Sequence, residues 1–124
     1  MAEVAPPELQ QYVAKLQQLQ ARLNQVAAEK SVVEAELKEV ERALNVLNNA
    51  SDDANIYRLA GYLMVKVSRE DAQKDLSDRK DILELRLKNL EKQESLLTSE
   101  IKDLESKINE ILGRYYRGKS GGAG

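Results

Sequence analysis

The chain has 124 residues, enough for one domain and too few for two. Charged residues make up 32% and aromatics only 4%, with five Tyr and neither Phe nor Trp, so a compact core filled by large rings is excluded. The formal net charge is −2, from 19 basic and 21 acidic residues, and this lacks the basic excess of a nucleic-acid binder.

Cys and His are both absent. That removes disulfides, thiolate catalysis, a Ser-His-Asp triad and the usual zinc ligand sets. At 42% the hydrophobic share is too large for a disordered chain. There are six Gly and two Pro, and both prolines sit at the start. This is the composition of long helices or a coiled coil.

The lead Met1-Ala2-Glu3-Val4-Ala5-Pro6-Pro7 has no basic region and no apolar core, so it does not read as a signal peptide. Missing Cys fits a reducing compartment, and a cytoplasmic location is expected. No run approaches the roughly 18 to 20 apolar residues of a membrane span. Pro6-Pro7 can open a helix, since proline suits its first turn.

From there the apolar spacing is three and four. Written as heptads, the a positions are Leu9, Leu16, Leu23, Lys30, Leu37 and Leu44. The d positions are Tyr12, Leu19, Val26, Val33, Val40 and Leu47. Only Lys30 breaks the seam, and heptads running this far without a stutter predict a coiled-coil helix ending near Asn48.

The period then changes. Ser51-Asp52-Asp53-Ala54-Asn55 is turn-like. Two β-rich runs follow, Ile56-Tyr57-Arg58-Leu59 and Tyr62-Leu63-Met64-Val65-Lys66-Val67, split at Gly61. They predict a β-hairpin whose turn type stays open, because Ala-Gly is a weaker signal than Asn-Gly.

Ser68 to Asp71 has capping-box spacing and starts a second helix. Its d positions are Leu76, Leu83, Leu90, Leu97, Leu104 and Ile111. Its a positions are Gln73, Lys80, Leu87, Glu94, Ile101, Ile108 and Tyr115. One antiparallel alignment pairs a with d along both helices: Leu9 opposite Ile111, Tyr12 opposite Ile108, Leu16 opposite Leu104, Leu37 opposite Leu83. It also sets Lys30 and Glu94 in adjacent layers, a candidate register-setting pair.

The fold class is therefore mainly α: a long antiparallel two-helix coiled coil with a β-hairpin between the helices. A lone hairpin is marginal in water. This one carries Ile56, Tyr57, Leu59, Tyr62, Leu63, Met64, Val65 and Val67, with two open edges. Hairpins of several chains joining into an oligomeric β-barrel platform remove both liabilities. Residues 1–117 form this single domain, with helices at about 7–48 and 69–117 and the hairpin at about 55–67. Residues 118–124 are a Gly-rich tail, expected to be flexible.

The far end of the coiled coil differs in character. Gln dominates there (Gln10, Gln11, Gln17, Gln18, Gln20, Gln25), and charges are few. Apolar residues lie off the seam at Val4, Val13, Leu112 and Tyr116, fraying is expected to expose part of Leu9, Tyr12, Ile108, Ile111 and Tyr115, and Leu16 completes the candidate tip. An apolar cluster of this extent suggests a binding surface.

Together, the long helix, the run Ile56-Tyr57-Arg58-Leu59-Ala60-Gly61-Tyr62-Leu63-Met64-Val65-Lys66-Val67 and the segment Leu83 to Glu94 resemble the β-class subunits of archaeal prefoldin. The single hairpin fits the β class, since the α class carries two. The resemblance implies a hexamer of two α and four β subunits, with hairpins forming a β-barrel platform. It implies an ATP-independent chaperone whose coiled-coil tips hold unfolded polypeptides and deliver them to a group II chaperonin. It makes Arg114, Arg117 and Lys119 a candidate contact to that chaperonin.

No cofactor, metal, nucleic acid or membrane is expected. A structural spacer explains the heptads but not the apolar tip. A nucleic-acid-binding arm meets the unfavourable charge balance. An enzyme is least supported, because no pocket-forming core exists to tune its carboxylates.

Overall fold

The computed structural model describes the backbone of residues 6–123 and the side chains of residues 6–118. The element order is α1 (Pro7–Asn49), β1 (Ile56–Ala60), β2 (Leu63–Val67) and α2 (Arg69–Ala123). Pro7 holds the first helical position, and the Pro6 carbonyl accepts the Gln10 N–H at 3.0 Å. A proline costs nothing there, because that N–H has no helical partner to lose.

Both heptad seams turn inward. Every a and d residue expected on α1 is buried or half-buried, and on α2 only Gln73 is exposed. The buried residues are all apolar, and none of the described polar side chains is buried. A two-helix layer has no interior beyond its seam, so polar groups find water at once.

The chain divides into two compact units: residues 1–28 with 91–124, and residues 29–90. In the first, Lys107 Nζ lies 5.9 Å from the centroid of the Tyr12 ring. Arg22 donates to Gln93 Oε1 at 3.2 Å. In the second, Arg79 donates to both Glu36 oxygens at 2.7 Å. Residue numbers rise on α1 as they fall on α2, so the helices run antiparallel within each unit. Tyr12 meets the neighbour of its expected partner Ile108. The long Arg side chains reach further along, each across a pair of flanking g positions. Lys80, a seam lysine, sends its ammonium to within 3.9 Å of Glu84 one turn on.

The hairpin pairs Ile56 with Val67, Arg58 with Val65 and Ala60 with Leu63. Gly61 and Tyr62 form the two-residue turn. Gly61 has φ +61°, and among the described residues no non-Gly residue has positive φ. A left-handed first residue with an ordinary second one is the sign pattern of a type II′ turn, which suits the twist of the strands. Tyr62 thus sits where any L-residue fits.

α2 begins as expected: Ser68 Oγ accepts the Asp71 N–H at 3.1 Å. It ends differently. The sequence places the stop near Arg117 with a flexible tail beyond, but α2 runs on to Ala123. Each residue added to an existing helix gains one hydrogen bond for one pair of fixed dihedrals, so helices grow past poor formers. Each glycine there still weakens the helix by about 1 kcal/mol relative to Ala.

One tie was not visible in the sequence. The Arg69 guanidinium donates to the carbonyls of Leu47 (2.6 Å), Ala50 (3.0 Å) and Ser51 (2.6 Å). Leu47 lies in the last turn of α1 and Ala50 and Ser51 directly follow it, where the dipole is negative and carbonyls lack the full set of helical donors. One side chain at the start of α2 therefore caps the end of α1. Arg69→Met keeps the stem and removes the donors. It is expected to cost about 2 kcal/mol, by the net worth of charged hydrogen bonds. A urea melt followed by helical signal checks this, and a midpoint equal to the parent's would show that the cap contributes nothing.

Candidate functional site

Two regions carry the candidate residues, one in each unit. At the tip, α1 supplies Leu9, Tyr12, Val13 and Leu16, and α2 supplies Ile108, Ile111, Leu112, Tyr115 and Tyr116. Val4 lies outside the described residues. The expectation of a frayed seam needs correction at its last layer. Leu9 and Ile111 are each only 7% exposed. They are buried in the same unit, at the positions the alignment sets opposite each other, so the seam stays closed to its final layer. Tyr12, Leu16, Ile108, Leu112 and Tyr115 are half-buried.

The accessible apolar surface at the tip therefore comes from off-seam residues. Val13 is 38% exposed and Tyr116 is 62% exposed. Tyr116 meets Tyr115 edge-on, with ring centroids 5.6 Å apart and planes at 76°. An edge-to-face pair holds the outer ring while leaving a face open. Arg114 and Arg117 are exposed beside it. The Lys119 side chain is outside the described set.

The hairpin is the second region. Its alternation places Ile56, Arg58, Leu63, Val65 and Val67 on one face, and Tyr57, Leu59, Met64 and Lys66 on the other. Ile56 and Val67 are half-buried, while Tyr57, Leu59, Tyr62, Leu63, Met64 and Val65 are all exposed. Both faces are apolar and both are wet. That combination is unstable for a lone two-stranded sheet. Arg58 is anchored by Asp75 of α2 at 2.5 Å.

Two features escaped the sequence reading. Val32, Val46 and Ile82 are exposed on the shaft of the second unit. They share the c heptad position, a signal that a seam-only reading passes over. A cavity also opens between β1 and the helices, with Ala43, Val46, Leu47 and Leu76 among its lining. Small residues flanking the seam near the hairpin (Ala43, Ala50, Ala72) were its only trace in the sequence. Among the described residues no helix is long and apolar enough to cross a membrane.

Comparison with known proteins agrees with this arrangement of two helices around one hairpin. The family model described as prefoldin subunit matches residues 10–115. The chain belongs to the prefoldin family. It is 47% identical to a prefoldin subunit beta of Sulfurisphaera tokodaii over 123 residues, covering 99% of this chain and 98% of that one. It is 46% identical to that of Saccharolobus islandicus over 116 residues, covering 94% and 92%.

Among solved structures, the prefoldin beta subunit from Thermococcus strain KS-1 matches with a TM-score of 0.83 at 33% identity, covering 90% of this chain and 97% of that one. The beta2 subunit of that strain shares the fold, with a TM-score of 0.67. Prefoldin subunits are non-enzymatic chaperone components that form hetero-oligomers with other prefoldin subunits. The chain is accordingly a chaperone subunit of the archaeal prefoldin type.

Proposed function

We propose that four copies of this chain assemble through their hairpins with two α-class prefoldin subunits. The assembly holds non-native polypeptides at its coiled-coil tips without nucleotide and passes them to a group II chaperonin in the cytoplasm. Exposed Tyr116, set edge-on against Tyr115, together with exposed Val13 and half-buried Leu112 of the same end, supports the tip as the holding surface. A ring with an open face meets apolar segments of any sequence, and Gln-rich surroundings impose no charge selection. One tip offers little area, so useful affinity comes from several tips gripping one client. Exposed Arg114 and Arg117, together with Lys119 of the sequence, supply positive charge for an acidic chaperonin surface.

The test is a heat-denatured client watched by light scattering, with the chain and an α-class partner present and no ATP. Aggregation is expected to be suppressed at about one assembly per client. Clients that scatter as they do without the chain, while native mass reports an assembled sample, would rule the holding function out.

A further inference from the structure

The shaft of the second unit carries a groove between α1 and α2, and none of its lining residues belongs to the hairpin or to the tip. Its floor is the buried seam, Val33 and Leu83. Its walls are apolar and open: Val32 is 70% exposed and Ile82 is 57% exposed. A two-stranded coiled coil places polar residues at c positions, so two branched apolar side chains lining one groove from c positions point to a further contact.

The rims of the groove are oppositely charged. α1 contributes Glu29 and Glu36, and α2 contributes Arg79 and Arg86. Arg79 donates to both Glu36 oxygens at 2.7 Å and spans the groove at one end. Glu29 and Arg86 make no ion pair among the described residues, which leaves a carboxylate on one rim and a guanidinium on the other.

An occupant must satisfy its own backbone, because helices engage their backbone groups internally and offer none to a neighbour. An extended segment would bury unpaired N–H and C=O groups on an apolar floor. A helix buries none, and its ridge of side chains is what a groove between helices accepts. The rims add a direction. A ridge with basic residues along one edge and acidic residues along the other complements both rims in one orientation only, since turning the helix end for end exchanges its edges. A ridge edged by a single sign meets a like charge on one rim either way.

The groove is also short. Glu29 to Glu36 spans about 10 Å, whereas a stable dedicated interface buries about 1,200–2,000 Å². A contact of this size holds a partner weakly, which suits transient capture and not a permanent subunit. Where several copies act on one polypeptide, weak grips combine.

From these we infer that the groove holds amphipathic helices of non-native polypeptides, with the apolar ridge on Val32 and Ile82, the basic edge beside Glu29 and the acidic edge beside Arg86. It is a second holding site, on the shaft, selective for segments that already form helix. This rests on the holding function proposed above and names a class of client segment for it.

The probe is a labelled, Ala-rich helical peptide with a Leu ridge edged by Lys on one side and Glu on the other. Its comparators carry Lys on both edges, Glu on both edges, or a central Pro that breaks the helix. Fluorescence anisotropy is read on the chain assembled with an α-class partner. The mixed-edge peptide is expected to bind about threefold tighter than either single-sign peptide, and the Pro peptide to lose most of its binding. Val32→Ser with Ile82→Ser is expected to weaken the mixed-edge peptide about tenfold or more. Val13→Ser with Tyr116→Ser leaves the preference for mixed edges in place. All four positions are exposed, so the fold tolerates these changes, and circular dichroism checks it.

Unchanged binding by the groove variant, loss of the edge preference in the tip variant, or tight binding of the Pro peptide overturns the groove assignment and leaves the holding function at the tip intact. Native mass is recorded on the same samples. A smaller assembly for the groove variant than for the parent assigns the groove to a second copy of the chain and overturns the client as occupant. A parent that binds the peptide as expected but fails to suppress client aggregation overturns the holding function, and the client as occupant falls with it.

Discussion

Leu63→Lys combined with Val65→Lys is expected to break the assembly into separate chains with helical content close to the parent's. Both residues lie on one face of β2, opposite Ala60 and Arg58. Both are exposed in the single chain, at 69% and 44%. A lysine at a wet position costs the free chain little. On the proposed reading of the hairpin as the assembly interface this face is covered on association, and an unpaired ammonium there costs several kcal/mol after relaxation. The lost burial of Leu and Val adds about 1.5–3 kcal/mol for each side chain. The sum exceeds about 5 kcal/mol per chain, more than a thousandfold in association. Sedimentation velocity and circular dichroism read the two halves of this expectation. A variant that stays fully assembled would place the interface away from the hairpin.

Removal of residues 1–9 and everything after Glu110 is expected to leave the assembly intact and abolish most client protection. The hairpin and the cap at Arg69 lie wholly in residues 29–90, so neither is touched. The deletion takes away the closing layer of Leu9 and Ile111 and the Tyr115–Tyr116 pair. Because that layer is buried, part of the loss comes from opening the seam. Val13→Ser with Tyr116→Ser separates the effects, since both side chains are exposed and the seam is unchanged. Burying one such side chain against a client is worth about 2 kcal/mol. With several tips gripping one client, the deficits multiply. The double serine variant is expected to require at least tenfold more assembly for equal suppression of aggregation. Protection equal to the parent's by both variants would move the holding surface off the tip, to the shaft or the platform.

Much of the architecture was legible because it rests on local rules. Heptad spacing from Leu9 to Leu47 and from Leu76 to Ile111 sets which stripe of each helix is apolar, and every one of those residues is buried or half-buried. Two prolines at the start, Ser68 as a cap and β-rich residues around Gly61 set the element boundaries at their first residues. Propensity, capping and period each act over a few residues, so a sequence displays them directly.

Tertiary structure decided what depends on residues far apart in the chain. Leu9 and Ile111 are both buried, at positions that the antiparallel alignment sets opposite each other, which no fraying rule local to either helix could supply. Arg69 reads as one more basic residue in the first turn of a helix until the end of α1 is brought to it. α2 outruns its expected stop because helix growth, once nucleated, favours continuation over local preference. The groove beside β1 exists only where a hairpin edge stands off from two helices. Seam, caps and strands were therefore properties of the sequence. The closed tip, the Arg69 tie and the cavity between β1 and the helices belong to packing, because each is a relation between segments that periodicity cannot encode.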